Sequence, residues 1–146
     1  MTLVAWGLLD RMLQAAPDDK PSQVLSGLHE GVQALLGQNR VDGETDDGLE
    51  AGICFVNTET KELFLSGARL SLWHANGEET TEIKGDRASL GYRRYPPNTK
   101  FNDISVRFGS GSAFYMTTDG LIDQICGPRR RSFGRKRFQA FIEENC

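Results

Sequence analysis

GICFVNTETKELFLSGARLSLWHANGEETTEI, residues 52–83, decides the fold class. Its apolar residues come in short runs of period two or less, rich in β-branched and aromatic side chains, which is the pattern of half-buried strands. Four strands are predicted, GICFV (52–56), ELFLS (62–66), LSLWHA (70–75) and ETTEI (79–83), separated by short turns. Asn76-Gly77 is the dipeptide that a tight type I′ hairpin prefers. The spacing predicts an antiparallel meander. Downstream, past a looser stretch holding Pro96 and Pro97, ISVRF (104–108) and AFYMTT (113–118) add two strands around a Gly109-Ser110-Gly111-Ser112 turn.

Upstream, the period changes. Ala5, Leu8, Leu9, Met12 and Leu13 fall on one helical stripe, with Asp10, Arg11 and Gln14 opposite, and Pro17 ends that helix. A second helix starts near Pro21, a residue suited to a first turn, and repeats apolar positions at Val24, Leu25, Leu28, Val32, Leu35 and Leu36. Asn39 to Glu50 is polar. At the far end, Phe133 to Asn145 places Phe138, Phe141 and Ile142 on one helical face. Helices, then strands, then a helix give an α+β arrangement with helices covering an antiparallel sheet. Neither an internal repeat nor a low-complexity linker interrupts it, and the helical pattern is already under way at the first residue, which suggests a missing beginning.

Composition narrows the function. With 146 residues, 38% hydrophobic and 25% charged, the chain has the size and balance of one globular domain or a large part of one. A net charge of −3 argues against a general nucleic-acid binder, which needs a basic excess to neutralise phosphates. Cys54, Cys126 and Cys146 are odd in number, widely spaced and form no Cys-x-x-Cys, which fits a reducing cytoplasm better than a disulfide framework or zinc knuckle. The opening MTLVAWGLL lacks a basic leader and a cleavage site, and Asp10 and Arg11 interrupt it far short of a membrane span.

Carboxylates are the available catalytic material, because no G-x-S-x-G, P-loop or dinucleotide-binding glycine pattern is present. Thr117-Thr118-Asp119-Gly120 stands where an apolar strand stops, and a carboxylate there is held by the sheet while its oxygens reach solvent. Metal ligation is one reading of it, and an ordinary Asp-Gly turn is the other. The segment after Gly127 holds Arg129, Arg130, Arg131, Arg135, Lys136 and Arg137. Its guanidinium groups match phosphate oxygens, but a solvated loop running into a helix accounts for it equally well, and the same holds for Arg93-Arg94. His29 and His74 have no second ligand at metal-binding spacing and read as structural or surface histidines.

Taken in order, DGLEAGICFVN, LFLSGARLSLW, NGE, EIKGDRASLGYRR, FYMTTDGLIDQICGP and SFGRKRFQAFI resemble the PPM superfamily of metal-dependent protein phosphatases, and within it the bacterial branch typified by the sporulation stage II protein E phosphatase. KGDRASLGYRR, TDG and the DQ-x-x-GP run are the most specific pieces. The resemblance implies that residues 1–146 are part of a PPM domain, an antiparallel β-sandwich flanked by α-helices. It further implies a phosphoserine/phosphothreonine phosphatase with two Mn2+ or Mg2+ ions, Asp119 (with Gly120) being a metal ligand; Arg93, Arg94, Arg129 and Arg130 are candidates for binding substrate on their guanidinium chemistry alone.

The implied partners are a phosphorylated regulatory protein, such as an antagonist of an anti-sigma factor, and a sensor domain upstream, in a cytoplasmic parent open to membrane tethering. The family's Gly-Gly-Asp and Gly-His-Gly segments do not occur here, and its last Asp lies beyond the final helix. The chain alone is therefore expected to lack most metal ligands, to be inactive by itself, and to self-associate through uncovered sheet edges. Smaller departures are Glu50 where Asp is frequent, Gly67-Ala68-Arg69 where Ala-Gly-His or Ala-Gly-Asn is usual, and Ser112 where Asp is common. The competing reading is a non-catalytic interaction module on a phosphatase-like scaffold.

Overall fold

The computed structural model describes residues 2–17, 19–39, 46–126 and 131–145, and of residues 2–5 and 126 the backbone alone. Two helices open the chain, α1 (Thr2–Ala15) and α2 (Pro21–Leu35). Six strands follow: β1 (Ala51–Asn57), β2 (Glu62–Ala68), β3 (Leu72–Ala75), β4 (Thr80–Ile83), β5 (Ile104–Arg107) and β6 (Ala113–Met116). The chain then forms a one-turn helix α3 (Asp119–Ile122), a short ribbon of β7 (Ile125–Cys126) with β8 (Arg131–Ser132), and α4 (Gly134–Asn145).

The strands do not run as one meander. They make two three-stranded antiparallel sheets, ordered β1-β2-β5 and β4-β3-β6. The β1-β2 and β3-β4 hairpins hold, but the chain leaves the first sheet after Ala68 and enters the second at Leu72. At the crossing Arg69 takes a left-handed backbone, φ 56°, and this redirects the strand. Gly109 to Ser112 does form a turn, yet it links β5 to β6 in different sheets. The β3-β4 connection is not type I′ either. Residues 76–79 form a four-residue loop in which Gly77 alone has positive φ, 90°, and Asn76 Oδ1 accepts the N–H groups of Glu78 and Glu79 at 3.0 and 2.9 Å. The asparagine caps the loop with its side chain instead of turning its own backbone.

Side-chain alternation builds four layers. Leu63 and Leu65 of β2 point between the sheets, where they meet Leu72, Ile83, Ile104 and Phe114. Ala51, Ile53 and Phe55 of β1 point the other way and pack under Val24, Leu25 and Leu28 of α2. On the outside of the second sheet, Trp73 and Ala75 pack against Phe138 and Ile142 of α4, with the Trp73 and Phe138 rings edge to face at 5.6 Å. The order is helices, sheet, sheet, helix, which agrees with the expected α+β sandwich. Three positions from the helical stripes stay outside: Leu13, Leu35 and Phe141 are exposed at the margins of their helices.

Buried polar residues of α2 and of the turn after it fix the loop that follows β4. Gly91 N–H donates to His29 Nδ1 at 3.0 Å, so the ring proton sits on Nε2 and is given to Pro96 O at 2.9 Å. Gln33 Nε2 donates to Tyr92 O and Tyr95 O at 2.9 and 2.8 Å, and Gln38 Nε2 to Gly91 O at 2.7 Å. His29 is thus the satisfied structural histidine its sequence context suggested. The first turn of α2 is capped from far along the chain, by the Asp103 carboxylate accepting Ser22 N–H and Oγ–H, each at 2.7 Å.

Candidate active site

At one end of the sandwich lies an open cleft of about 940 Å³. Glycine makes it possible. A Cβ on Gly67 would stand 2.2 Å from Leu70 O, and one on Gly85 would stand 2.5 Å from both Gly67 O and Leu70 O. Only hydrogen atoms fit there, so the end of β2 and the segment after β4 come into backbone contact. Asp86 N–H donates to Gly67 O at 2.7 Å and Arg69 N–H to Asp86 O at 2.8 Å. The Asp86 carboxylate turns outward and takes Asn102 N–H at 2.8 Å and Nδ2–H at 2.6 Å. Asp86 is therefore consumed in joining three segments.

Around this knot the cleft gathers charged groups from distant parts of the chain. Its lining includes Glu50 before β1, Arg69 between the sheets, Glu82 on β4, Lys84 and Arg87 after it, Asp119 and Asp123 at α3, and Arg135 on α4. Arg69 Nε stands 3.0 Å from Glu50 Oε1. Arg135 pairs with Glu82 and donates to Ser71 Oγ at 3.3 Å. The Asp119 and Asp123 side chains have no ion-pair or hydrogen-bond partner among the described residues.

The strand carrying Asp119 ends earlier than its sequence suggests, at Met116. Thr118 is the extended N-cap, and Asp119 is the first residue of α3, exposed and facing the cleft. Asp123 follows one turn later, its N–H donating to Asp119 O at 2.7 Å. Gly120 lies inside this turn, where an added Cβ would meet Thr118 Oγ1 at an ordinary 3.5 Å, so sterics alone do not demand glycine. Among the described residues, no three His, Cys, Asp or Glu side chains are grouped to hold a metal ion. Asp119 and Asp123 offer hard oxygen donors of the kind Mg2+ and Mn2+ take, but they are a partial set and do not by themselves fit a two-metal centre.

The other predicted site residues fall elsewhere. Arg93 and Arg94 follow the cleft-lining Tyr92 but are not part of the lining. Arg93 N–H donates to Asp46 Oδ1 at 2.9 Å, and the Arg94 guanidinium lies over the Tyr92 and Tyr95 rings at 5.0 and 4.9 Å. Arg129 and Arg130 lie outside the described residues. Lys84, Asp86, Arg87 and Asp123 carry no signal as individual site residues in the sequence, although KGDR and the run holding Asp123 stand out as motifs. Glu50 and Arg69 had shown up as departures from a pattern, and nothing in one dimension said they would pair.

The family model for stage II sporulation protein E (SpoIIE) matches residues 1–146. The chain belongs to the SpoIIE family. Among solved structures, it is similar to the SiaA-PP2C domain of Pseudomonas aeruginosa, with a TM-score of 0.86 and 26% sequence identity over 99% of this chain and 54% of that one. It therefore spans about half the length of that solved chain. No curated protein sequence matches it. The SpoIIE assignment and the shared fold make the cleft part of a PPM-type phosphatase domain, in a family of hydrolases that generally uses Mn2+ or Mg2+. No helix among the described residues is long and apolar enough to cross a membrane.

Proposed function

We propose that the protein carrying this chain is a metal-dependent protein serine/threonine phosphatase, and that residues 1–146 supply the cleft wall bearing Asp119. The observation that carries this reading is the placement of Asp119, unpaired among the described residues, in the same cleft as the KGDR segment of a SpoIIE-family fold. Asp119, with Gly120 beside it, is assigned as a metal ligand. Two Mn2+ or Mg2+ ions, when bound, supply a polarised phosphoryl group and a water of lowered pKa. The remaining ligands are assigned to residues outside 1–146, as the resemblance to the PPM phosphatases implies.

The substrate class is phosphoserine or phosphothreonine on a regulatory protein, for instance an antagonist of an anti-sigma factor, in the cytoplasm and under control of an upstream sensor domain. Arg93 and Arg94, beside the cleft, and Arg129 and Arg130 are assigned to the acidic surface of that phosphoprotein; nucleic acid is not a partner. Phosphate release from a phosphoserine peptide tests the reading. A protein extended to the length of a whole phosphatase domain is expected to release phosphate with Mn2+ and not without it, and residues 1–146 alone are expected to release negligible amounts. Silence from the extended protein would refute the reaction. Robust turnover by 1–146 alone would refute the division of ligands.

A further inference from the structure

The cations of the cleft differ in how they are held. Arg135 is spent on Glu82 and Ser71. Arg69 is anchored differently: its left-handed backbone donates one hydrogen bond, to Asp86 O at 2.8 Å, and its side chain is 49% exposed with Nε 3.0 Å from Glu50 Oε1. Its two terminal NH2 groups have no hydrogen-bond or ion-pair partner among the described residues. That end of the fork presents parallel N–H donors at the spacing of two phosphate oxygens. Lys84 and Arg87 line the same wall, exposed and without an ion-pair partner among the described residues. The same lining carries five carboxylates, Glu50, Glu82, Asp86, Asp119 and Asp123, against four cations, so an anion site belongs to this one wall and not to the cleft as a whole.

We propose that Arg69 is a specificity-determining residue of this cleft, taking two oxygens of a phosphorylated side chain end-on while Glu50 stays paired at its Nε, with Lys84 and Arg87 as further cations on the same wall. The identity of the anion rests on the phosphatase reading; the anion site itself rests on the geometry of Arg69 and Glu50.

The test is titration of this chain, in metal-free buffer, with O-phosphoserine and with serine. Saturable binding of O-phosphoserine alone is expected, weakened about tenfold or more in Arg69→Gly. Glycine suits the φ of 56°, so the variant should melt at the wild-type temperature or above. Arg69→Lys should bind nearly as weakly, since an ammonium keeps the charge and loses the fork. Arg107→Ala, which removes an 88% exposed guanidinium from β5, should bind like wild type. Equal affinity in wild type and Arg69→Gly, a comparable loss in Arg107→Ala, or no saturable binding to wild type would each overturn the proposal. Arg69-dependent binding in a protein that never releases phosphate would uphold the subsite and sink the reaction, whereas Mn2+-dependent hydrolysis with binding indifferent to Arg69 would do the reverse.

Discussion

Cys54 shows how far a single side chain's chemistry is set by where its strand lies. It sits on β1, half-buried toward the sheet interface, with Sγ 3.9 Å from Met116 Sδ, and burial pushes its thiol from 9.0 up to about 11. The thiolate is the nucleophile, so alkylation of Cys54 by iodoacetamide at pH 8 should be far slower than that of a small-molecule thiol and should rise only as pH approaches 11. Peptide mapping after timed labelling would check this, and fast labelling at pH 8 would show the thiol to be open. The folded state holds this proton more tightly than the unfolded state, so the group's contribution to stability is complete below pH 9.0 and is lost as pH rises toward 11. Asp119 is the opposite case, a residue whose motif was legible in the sequence. What was not legible was that its strand ends at Met116 and that Asp123 stands one turn away.

At the scale of elements, the alternation of apolar residues over 52–83 predicted which faces of the strands are buried, and Leu63, Leu65, Ile53 and Phe55 obey it. Alternation has the same period in either sheet, so it could not say that β2 and β3 belong to different ones. That division is made by contacts between residues far apart in sequence: β5 pairs with β2, β6 pairs with β3, and Gly67 meets Gly85. The apolar stripe of α2 was equally plain. Its polar members His29 and Gln33 gave no signal, because their partners are backbone groups about 60 residues downstream. The glycine contact is open to direct test. Gly67→Ala must displace the Leu70 carbonyl and should cost about 2–3 kcal/mol in urea unfolding. Gly109→Ala, with open space at its Cβ position, should stay within about 0.5 kcal/mol of wild type.

For the whole molecule, the sandwich is covered by helices on both outer faces, but its edges are not all protected. β1, β5, β4 and β6 each flank one side of a three-stranded sheet. Trp6, Leu35, Val56, Ile125 and Phe141 are more than half exposed. Edges and apolar side chains of this kind favour association, so sedimentation of residues 1–146 should show oligomers that grow with concentration. A monodisperse monomer over a wide concentration range would contradict that expectation. The cleft is likewise a property of the whole fold, since residues from 48 to 135 meet only when both sheets, α3 and α4 are in place. Its proposed role is phosphate release that depends on Asp119. The most direct measurement is Mn2+-dependent phosphate release from a phosphoserine peptide by the extended protein and its Asp119→Ala variant. Turnover should fall about 100-fold or more in the variant, as expected when a ligand of the activating ion is lost, and turnover equal to wild type would refute the role of Asp119.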